Sequence, residues 1–284
     1  MKANEILMQQ IALDYCCSID DVKDGKNHFT LYQELSDRRS FQEADKSFLK
    51  ICVINGKVLF NGQKDIIEWC KEQYESYGSE WFFEAKNMHK LNERLMEDGY
   101  QIESVHPFFI PSQQEDIFDH GHTEPELINI DHGHTEPELS NSDAETCSSH
   151  AEAVNSDYEI KWYDEKDILQ FKGDDRFDEA FIFCEGAPDV LGVAAIKDGE
   201  ILGMAGASRD SKVMWQIGIN VDKKCSGSGI AKMLVTLIKN EILKRGILPF
   251  YGTSMSHLAS ERVALASGFT PAWVELFTTK ISTD

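Results

Sequence analysis

The stretch Met214-Trp-Gln-Ile-Gly-Ile-Asn-Val-Asp-Lys-Lys-Cys-Ser-Gly-Ser-Gly-Ile-Ala-Lys-Met-Leu-Val235 passes from an apolar run through a small-residue loop into a helical pattern. It confines the chain to folds in which a strand hands over to a helix through a tight turn. Met214 to Val221 is short and rich in β-branched and aromatic residues, which predicts a largely buried strand. Beyond it Ile230, Leu234, Leu237, Ile238, Ile242 and Leu243 recur at three- and four-residue steps, the pattern of an amphipathic helix packed on a sheet. Gly227 and Gly229 permit positive φ and close approach of a ligand to the backbone. The first amides of the helix lack partners and carry about half a positive charge. Lys224, Cys225, Ser226, Gly227, Ser228, Gly229 and Ile230 therefore frame an anion site suited to a phosphate.

Two nucleotide-binding patterns fit poorly. A Walker loop needs Lys-Ser or Lys-Thr after its last glycine, but Gly229 is followed by Ile-Ala-Lys. A dinucleotide fold wants a third glycine and an acidic residue at the next strand's end, where the chain reads Ile247-Leu-Pro-Phe250. The neighbours are more telling. Val190 to Ile196 and Ile201 to Ala207 form a predicted hairpin turning at Asp198-Gly199. Gly246 to Ser254 reads as a strand, Ser256 to Ser267 as a helix closed by Gly268, and Trp273 to Lys280 as a final strand.

Lys224-x-x-Gly227-x-Gly229, set in this order of elements, resembles the pyrophosphate loop of the GNAT superfamily of acyl-CoA-dependent N-acyltransferases. The usual loop opens with Gln or Arg; lysine keeps the charge and loses the bidentate fork. His257 to Phe269 resembles the family's second motif. The likeness covers residues from about Tyr158 onward, and the arrangement as a whole looks like two-part GNAT proteins of bacteria. It implies acetyl-CoA as acyl donor, central strands that splay near Ile219, and backbone groups of Ile219 and Val221 paired with the pantetheine arm. An oxyanion donor would be the Ile219 amide. The sequence departs from the family where Asn is usual at His257, where Ala264 replaces a thiolate-protonating Tyr, and where no Glu stands on the central strand. Asp222 is the nearest carboxylate beyond that strand. Replacement acids or bases near the strand and helix ends are Tyr251, Ser254, His257 and Ser260, with Ser256 a further polar neighbour.

Length and charge set wider bounds. With 284 residues and a formal charge of −21, the chain has room for two domains and lacks the positive surface that nucleic acid or anionic membranes require. No apolar run suits a membrane span or a leader, so a soluble cytoplasmic protein is expected. Seven cysteines without zinc-pair spacing suggest reduced thiols. Residues 111–160 hold thirteen acidic residues, five histidines and no Lys or Arg. Within them Asp119-His-Gly-His-Thr-Glu-Pro-Glu-Leu127 recurs unchanged as Asp131 to Leu139. This reads as a disordered tether that has absorbed a duplication, and the His-x-His pairs match no closed structural metal site.

The expected organisation is an N-terminal α+β domain over 1–110, a linker over 111–157 and a GNAT domain over 158–284, in an α+β fold with a mixed sheet. In the first domain, Ile6, Leu7, Ile11 and Leu13 predict an opening helix, and Phe48 to Phe60 a hairpin turning at Asn55-Gly56. Ile66 to Tyr77 and Met88 to Met96 read as helices, and Tyr100 to Ile110 as a strand. That domain fits a degenerate GNAT-like half or a separate substrate-gating or dimerisation module, so a homodimer stays open. The implied activity is acetyl transfer from acetyl-CoA to a primary amine, on a small molecule. The rival is a non-catalytic acyl-CoA-binding sensor or scaffold, which would keep the loop and lose the proton-handling residues.

Overall fold

The computed structural model describes residues 2–39, 48–112 and 158–282. In chain order these form α1 (Ala3–Asp14), α2 (Ile19–Lys23), β1 (His28–Leu31), β2 (Leu49–Ile54), β3 (Lys57–Gly62), α3 (Lys64–Tyr74), α4 (Ala85–Glu97) and β4 (Tyr100–Pro111). There follow β5 (Glu159–Asp164), α5 (Glu165–Ile168), β6 (Asp189–Lys197), β7 (Glu200–Arg209), β8 (Met214–Val221), α6 (Ile230–Lys244), β9 (Leu248–Gly252), α7 (Leu258–Ala266) and β10 (Phe269–Lys280). The fold is α+β with a mixed sheet. The hairpins β2–β3 and β6–β7 close through Asn55-Gly56 and Asp198-Gly199, all four residues at positive φ, the turn whose twist matches that of antiparallel strands. No helix among the described residues is long and apolar enough to cross a membrane.

All ten strands belong to one sheet in the order β1-β3-β2-β10-β4-β9-β8-β7-β6-β5. Only β1 with β3 and β8 with β9 pair in parallel. Side chains alternate between faces, as the strand period requires. Leu49 and Ile51 turn to a core that also holds Ile66, Cys70 and Leu91 of α3 and α4, while Cys52 and Ile54 turn to one holding Ile6, Leu7 and Ile11 of α1. Further along the sheet, Ile230, Leu234, Val235, Ile238 and Ile242 of α6 pack on Val193, Ala205 and Ile217. The opposite face there is covered by Phe171, Phe177 and Phe181. Each such aliphatic side chain contributes about 1.5–3 kcal/mol on burial.

The strand order crosses the boundary drawn from sequence. β10 lies between β2 and β4, and β4 lies between β10 and β9, so the last strand completes the N-terminal part of the sheet while β4 reaches the C-terminal part. A buried polar network fastens this seam. Arg39 donates to Asp14 at 2.5 Å and to Glu275 of β10 at 2.8 Å. Tyr15 Oη and Trp273 Nε1 donate to the same Glu275 carboxylate at 2.9 and 3.0 Å. Burial raises the Asp14 carboxyl, yet Arg39 and Lys50 beside it hold it below its usual value; burial pushes the Lys50 ammonium down to about 8.

Helix and strand ends differ modestly from the sequence pattern. β10 begins at Phe269, because its pairing with β4 continues through a register shift between Pro271 and Trp273. A proline cannot donate to the ladder, and the bulge absorbs it. The edge strands β1 and β5 went unread: β1 is four residues long and β5 carries only Tyr163 buried. The tandem His-x-His repeats and Cys147 lie outside the described residues.

Candidate active site

The site begins where two parallel strands part. β8 and β9 pair from Met214↔Leu248 to Ile217↔Tyr251 and no further, while β8 goes on pairing with β7 as far as Val221. After Gly252 the chain turns, with the His257 amide on the Ser254 carbonyl at 3.0 Å, and enters α7. A gap is thus left beside Ile219 and Val221, as the resemblance implies. Glycines thin the sheet here. A Cβ on Gly218 would stand 1.8 Å from the Glu179 carbonyl oxygen, and one on Gly252 would stand 2.7 Å from Phe108. Asn220 holds the covering segment down, its Oδ1 accepting the amides of Glu179 and Ala180 at 3.0 and 2.7 Å.

A cleft of about 1140 Å³ occupies the gap. At one end the loop residues Cys225, Ser226, Gly227, Gly229 and Ile230 line it, with Lys223, Lys232 and Arg262. Gly227 and Gly229 take φ of 80° and 86° with nothing within 4 Å of where a Cβ would be. The amides of Gly227, Gly229 and Ala231 find no acceptor among the described residues, and they sit at the positive end of α6. A pyrophosphate fits such a cradle. Asp222 closes the preceding turn by accepting the Lys224 amide at 2.8 Å.

Most of the residues singled out from sequence converge on this cleft. Ile219, Val221, Tyr251, Ser254, His257 and Ser260 all line it. Lys224 and Ser228 stand in the loop outside the lining, Ser228 Oγ donating to the Cys225 carbonyl at 2.7 Å. Lys223 lines the cleft in place of its neighbour. Tyr251 Oη and Ser260 Oγ are 2.9 Å apart, bridging β9 to α7 one turn before the buried Ala264. Burial raises the Tyr251 hydroxyl above its ordinary value, against a smaller lowering by Ser260.

Sequence reading missed the other side. His106 and Phe108 of β4, Phe277 of β10, and Glu179, Asp210 and Thr253 also line the cleft. Asp210 accepts from Ser208 Oγ at 2.9 Å and from the Gln216 amide at 3.2 Å. Thr253 is only 7% exposed, and its Oγ1 has no hydrogen-bond partner among the described residues. The lining comes from both faces of the sheet, since Tyr251 and Gln216 belong to opposite faces of paired strands. No local motif marks β4 as a neighbour of β9; two residue pairs join them, Phe108↔Gly252 and Phe109↔Tyr251.

Splayed parallel strands above a glycine-turned loop leave room for an extended ligand with an anionic end, and the family comparison points the same way. Residues 151–269 match the acetyltransferase (GNAT) family, and the chain carries a GNAT-superfamily acetyltransferase domain, of a class whose chemistry is acyl transfer. Among solved structures, it is similar to a GCN5-related N-acetyltransferase-like protein from Streptococcus suis, with 13% identity, 67% of each chain covered and a TM-score of 0.42. It is similar also to an acetyltransferase from the GNAT family of Colwellia psychrerythraea, with 14% identity over 85% of this chain and 84% of that one and a TM-score of 0.39. A third likeness is to yncA of Salmonella typhimurium, solved with its cofactor acetyl-CoA, with 12% identity over 45% and 96% of the two chains and a TM-score of 0.32. None of the curated proteins matches the chain.

Proposed function

We propose that this chain is an acetyl-CoA-dependent N-acetyltransferase, acting in the cytoplasm on the primary amine of a small molecule by direct attack on the thioester. The observation that carries the reading is the gap between β8 and β9, open to both faces of the sheet and continuous with the free amides of Gly227, Gly229 and Ala231. The loop and Lys223 would hold the pyrophosphate, and backbone groups of Ile219 and Val221 the pantetheine arm. The Ile219 amide would donate to the developing oxyanion. Tyr251 stays protonated because burial raises it, so its hydroxyl, with Ser260 behind it, is available to protonate the departing thiolate. Ser254 and His257 border the same stretch and would contact the acyl or pantetheine group.

The non-catalytic acyl-CoA-binding alternative is favoured by one observation, the buried Ala264 where the family commonly carries a hydroxyl. The Tyr251–Ser260 pair answers it, placing a hydroxyl beside the same helix from the neighbouring strand. Calorimetric titration of acetyl-CoA into the full chain is the test, with Gly227→Asp as control. The parent is expected to bind in the micromolar range. The variant is expected to lose at least about 100-fold, because a carboxylate in the anion cradle repels phosphate. The new Cβ meets no protein atom within 4 Å, but φ of 80° strains an L residue, so a thermal melt of the variant accompanies the titration and must show a cooperative transition. Equal binding by parent and variant would sink the loop assignment.

A further inference from the structure

Resting on the acetyl-transfer reading, we infer that the acceptor amine enters from the α1 side of the sheet into a subsite shared by both segments of the chain, where His106 of β4 takes the proton of the attacking nitrogen.

Register places His106 there. Phe108 pairs with Gly252 and the Thr253 amide donates to the Pro107 carbonyl at 3.3 Å, so His106 stands opposite Ser254, past the end of the β4–β9 ladder. Ile217 pairs with Tyr251, which sets Ile219 level with Thr253. With paired strands about 4.8 Å apart and β8 parting from β9 beyond Ile217, the backbones of His106 and Ile219 stand at least about 10 Å apart across the gap, and both line the cleft. Alternation puts His106 on the face of Phe108 and Phe277, opposite the face that carries Tyr251 and Ser260. The proton acceptor and the thiolate's proton donor therefore approach the gap from opposite sides.

The tautomer follows from one bond. His106 Nδ1 is 3.2 Å from the Thr253 carbonyl oxygen. A carbonyl only accepts, so Nδ1 carries hydrogen, and in the neutral ring the lone pair is on Nε2. Nε2 has no hydrogen-bond partner among the described residues. The same Thr253 lines the cleft, and its Oγ1, buried behind that lining, has no hydrogen-bond partner among the described residues. The rings of Phe108 and Phe277 flank the imidazole at 6.4 and 6.3 Å. Ile182 adds apolar wall, and Glu179 a carboxylate. The lysines and arginine of the lining belong to the loop, α6 and α7. This chemistry fits an arylalkyl primary amine, its ammonium drawn by the carboxylate and its ring set among the phenylalanines.

The step balances without a further reactant. The ammonium first gives one proton to solvent; the neutral amine nitrogen then bonds to the thioester carbonyl carbon, and the π pair moves to oxygen, facing the Ile219 amide. On collapse the C–S bond breaks and its pair leaves on sulfur. The nitrogen's proton passes to His106 Nε2, the Tyr251 hydroxyl protonates the thiolate, and solvent returns the proton from imidazolium to tyrosinate. Amine and acetyl-CoA become amide and CoA.

The test uses the full chain, acetyl-CoA and 2-phenylethylamine, with spermidine as the contrasting polycation, and measures acetylated amine and free CoA. His106→Asn keeps a donor for the Thr253 carbonyl and removes the base. It is expected to lower kcat/KM for phenylethylamine by about 100-fold or more, with acetyl-CoA affinity unchanged. Free imidazole is expected to restore part of the rate to His106→Ala, which a merely structural residue would not show. Parental turnover by His106→Asn, or no rescue, would overturn the role of His106. Acetyl-CoA binding with acetylation of spermidine in preference to phenylethylamine would overturn the acceptor class. Failure to bind acetyl-CoA would instead remove the acetyl-transfer reading and the subsite with it.

Discussion

The two ends of the sheet use similar elements and treat polar groups in opposite ways. Around β2 and β10, a carboxylate from α1, a carboxylate from β10, Arg39 and Lys50 are buried together and bonded to one another or to backbone. Around β8 and β9, amides and an imidazole nitrogen have no partner among the described residues beside open space, and a threonine hydroxyl is buried without one just behind them. Satisfied polar networks seal and specify; unsatisfied groups at a cleft are free to bind something else. Tyr74 Oη and Ser104 Oγ are also buried without partners, but neither lines the cleft, so orphaned atoms alone do not make a site. The combination with a strand pair that stops short does.

If the seam is held by its network, Glu275→Gln should give the largest effect. It leaves Arg39 buried with its charge half-answered, and breaking a buried pair costs about 3–5 kcal/mol. Urea unfolding of the variant should show that loss, with the glycine loop before α6 untouched. A loss below about 1 kcal/mol would mean that apolar packing of Trp273 and Phe277 fastens β10 and that the network contributes little. The comparison would then rest on the cleft alone.

A smaller change sharpens the other side. Tyr251→Phe keeps a ring in the core between Phe269 and α7 and removes only the hydroxyl that meets Ser260. Thiolate is already a good leaving group near neutral pH, so kcat is expected to fall by about 100-fold, the low end of general acid effects, with KM for acetyl-CoA unchanged. Unaltered kcat would make Tyr251 a packing residue with a satisfied hydroxyl, and the unpartnered groups of the cleft would be left without their proton donor.

What was legible in the sequence divides along the same line. The glycine loop, the α6 stripe and both hairpin turns are local, each set by residues within a dozen positions, and each stands where the pattern put it. Ile219, Val221 and the polar set from Tyr251 to Ser260, which line the cleft, were singled out because they flank that loop in chain order or one element later. His106, Phe108 and Phe277 were not, because their place depends on β4 and β10 inserting beside β9. Strand pairing over more than a hundred residues leaves no periodic trace. Thr253 was passed over for a related reason: its neighbours announce a strand end, and only the stop in pairing after Ile217↔Tyr251 makes its hydroxyl an orphan.

The smallest effect is expected from the segment that joins the two regions. Residues 112–158 separate β4 from β5, yet β4 finds its place through β10 and β9, with no ladder to β5. If the acidic repeats act only as a tether, removing residues 115–150 should raise the melting temperature by no more than about 5 °C, since cutting the loop to about a quarter of its length lowers its closure cost by about 1.3 kcal/mol. Residues 112–114 joined to 151–158 must then still span from the end of β4 to the start of β5. A cooperative transition at or slightly above the parental temperature, with acetyl-CoA affinity kept, would confine both stability and binding to the sheet. Loss of cooperative unfolding would show that the repeats belong to the folded unit, and the contrast between a sealed seam and an open cleft would need a third partner.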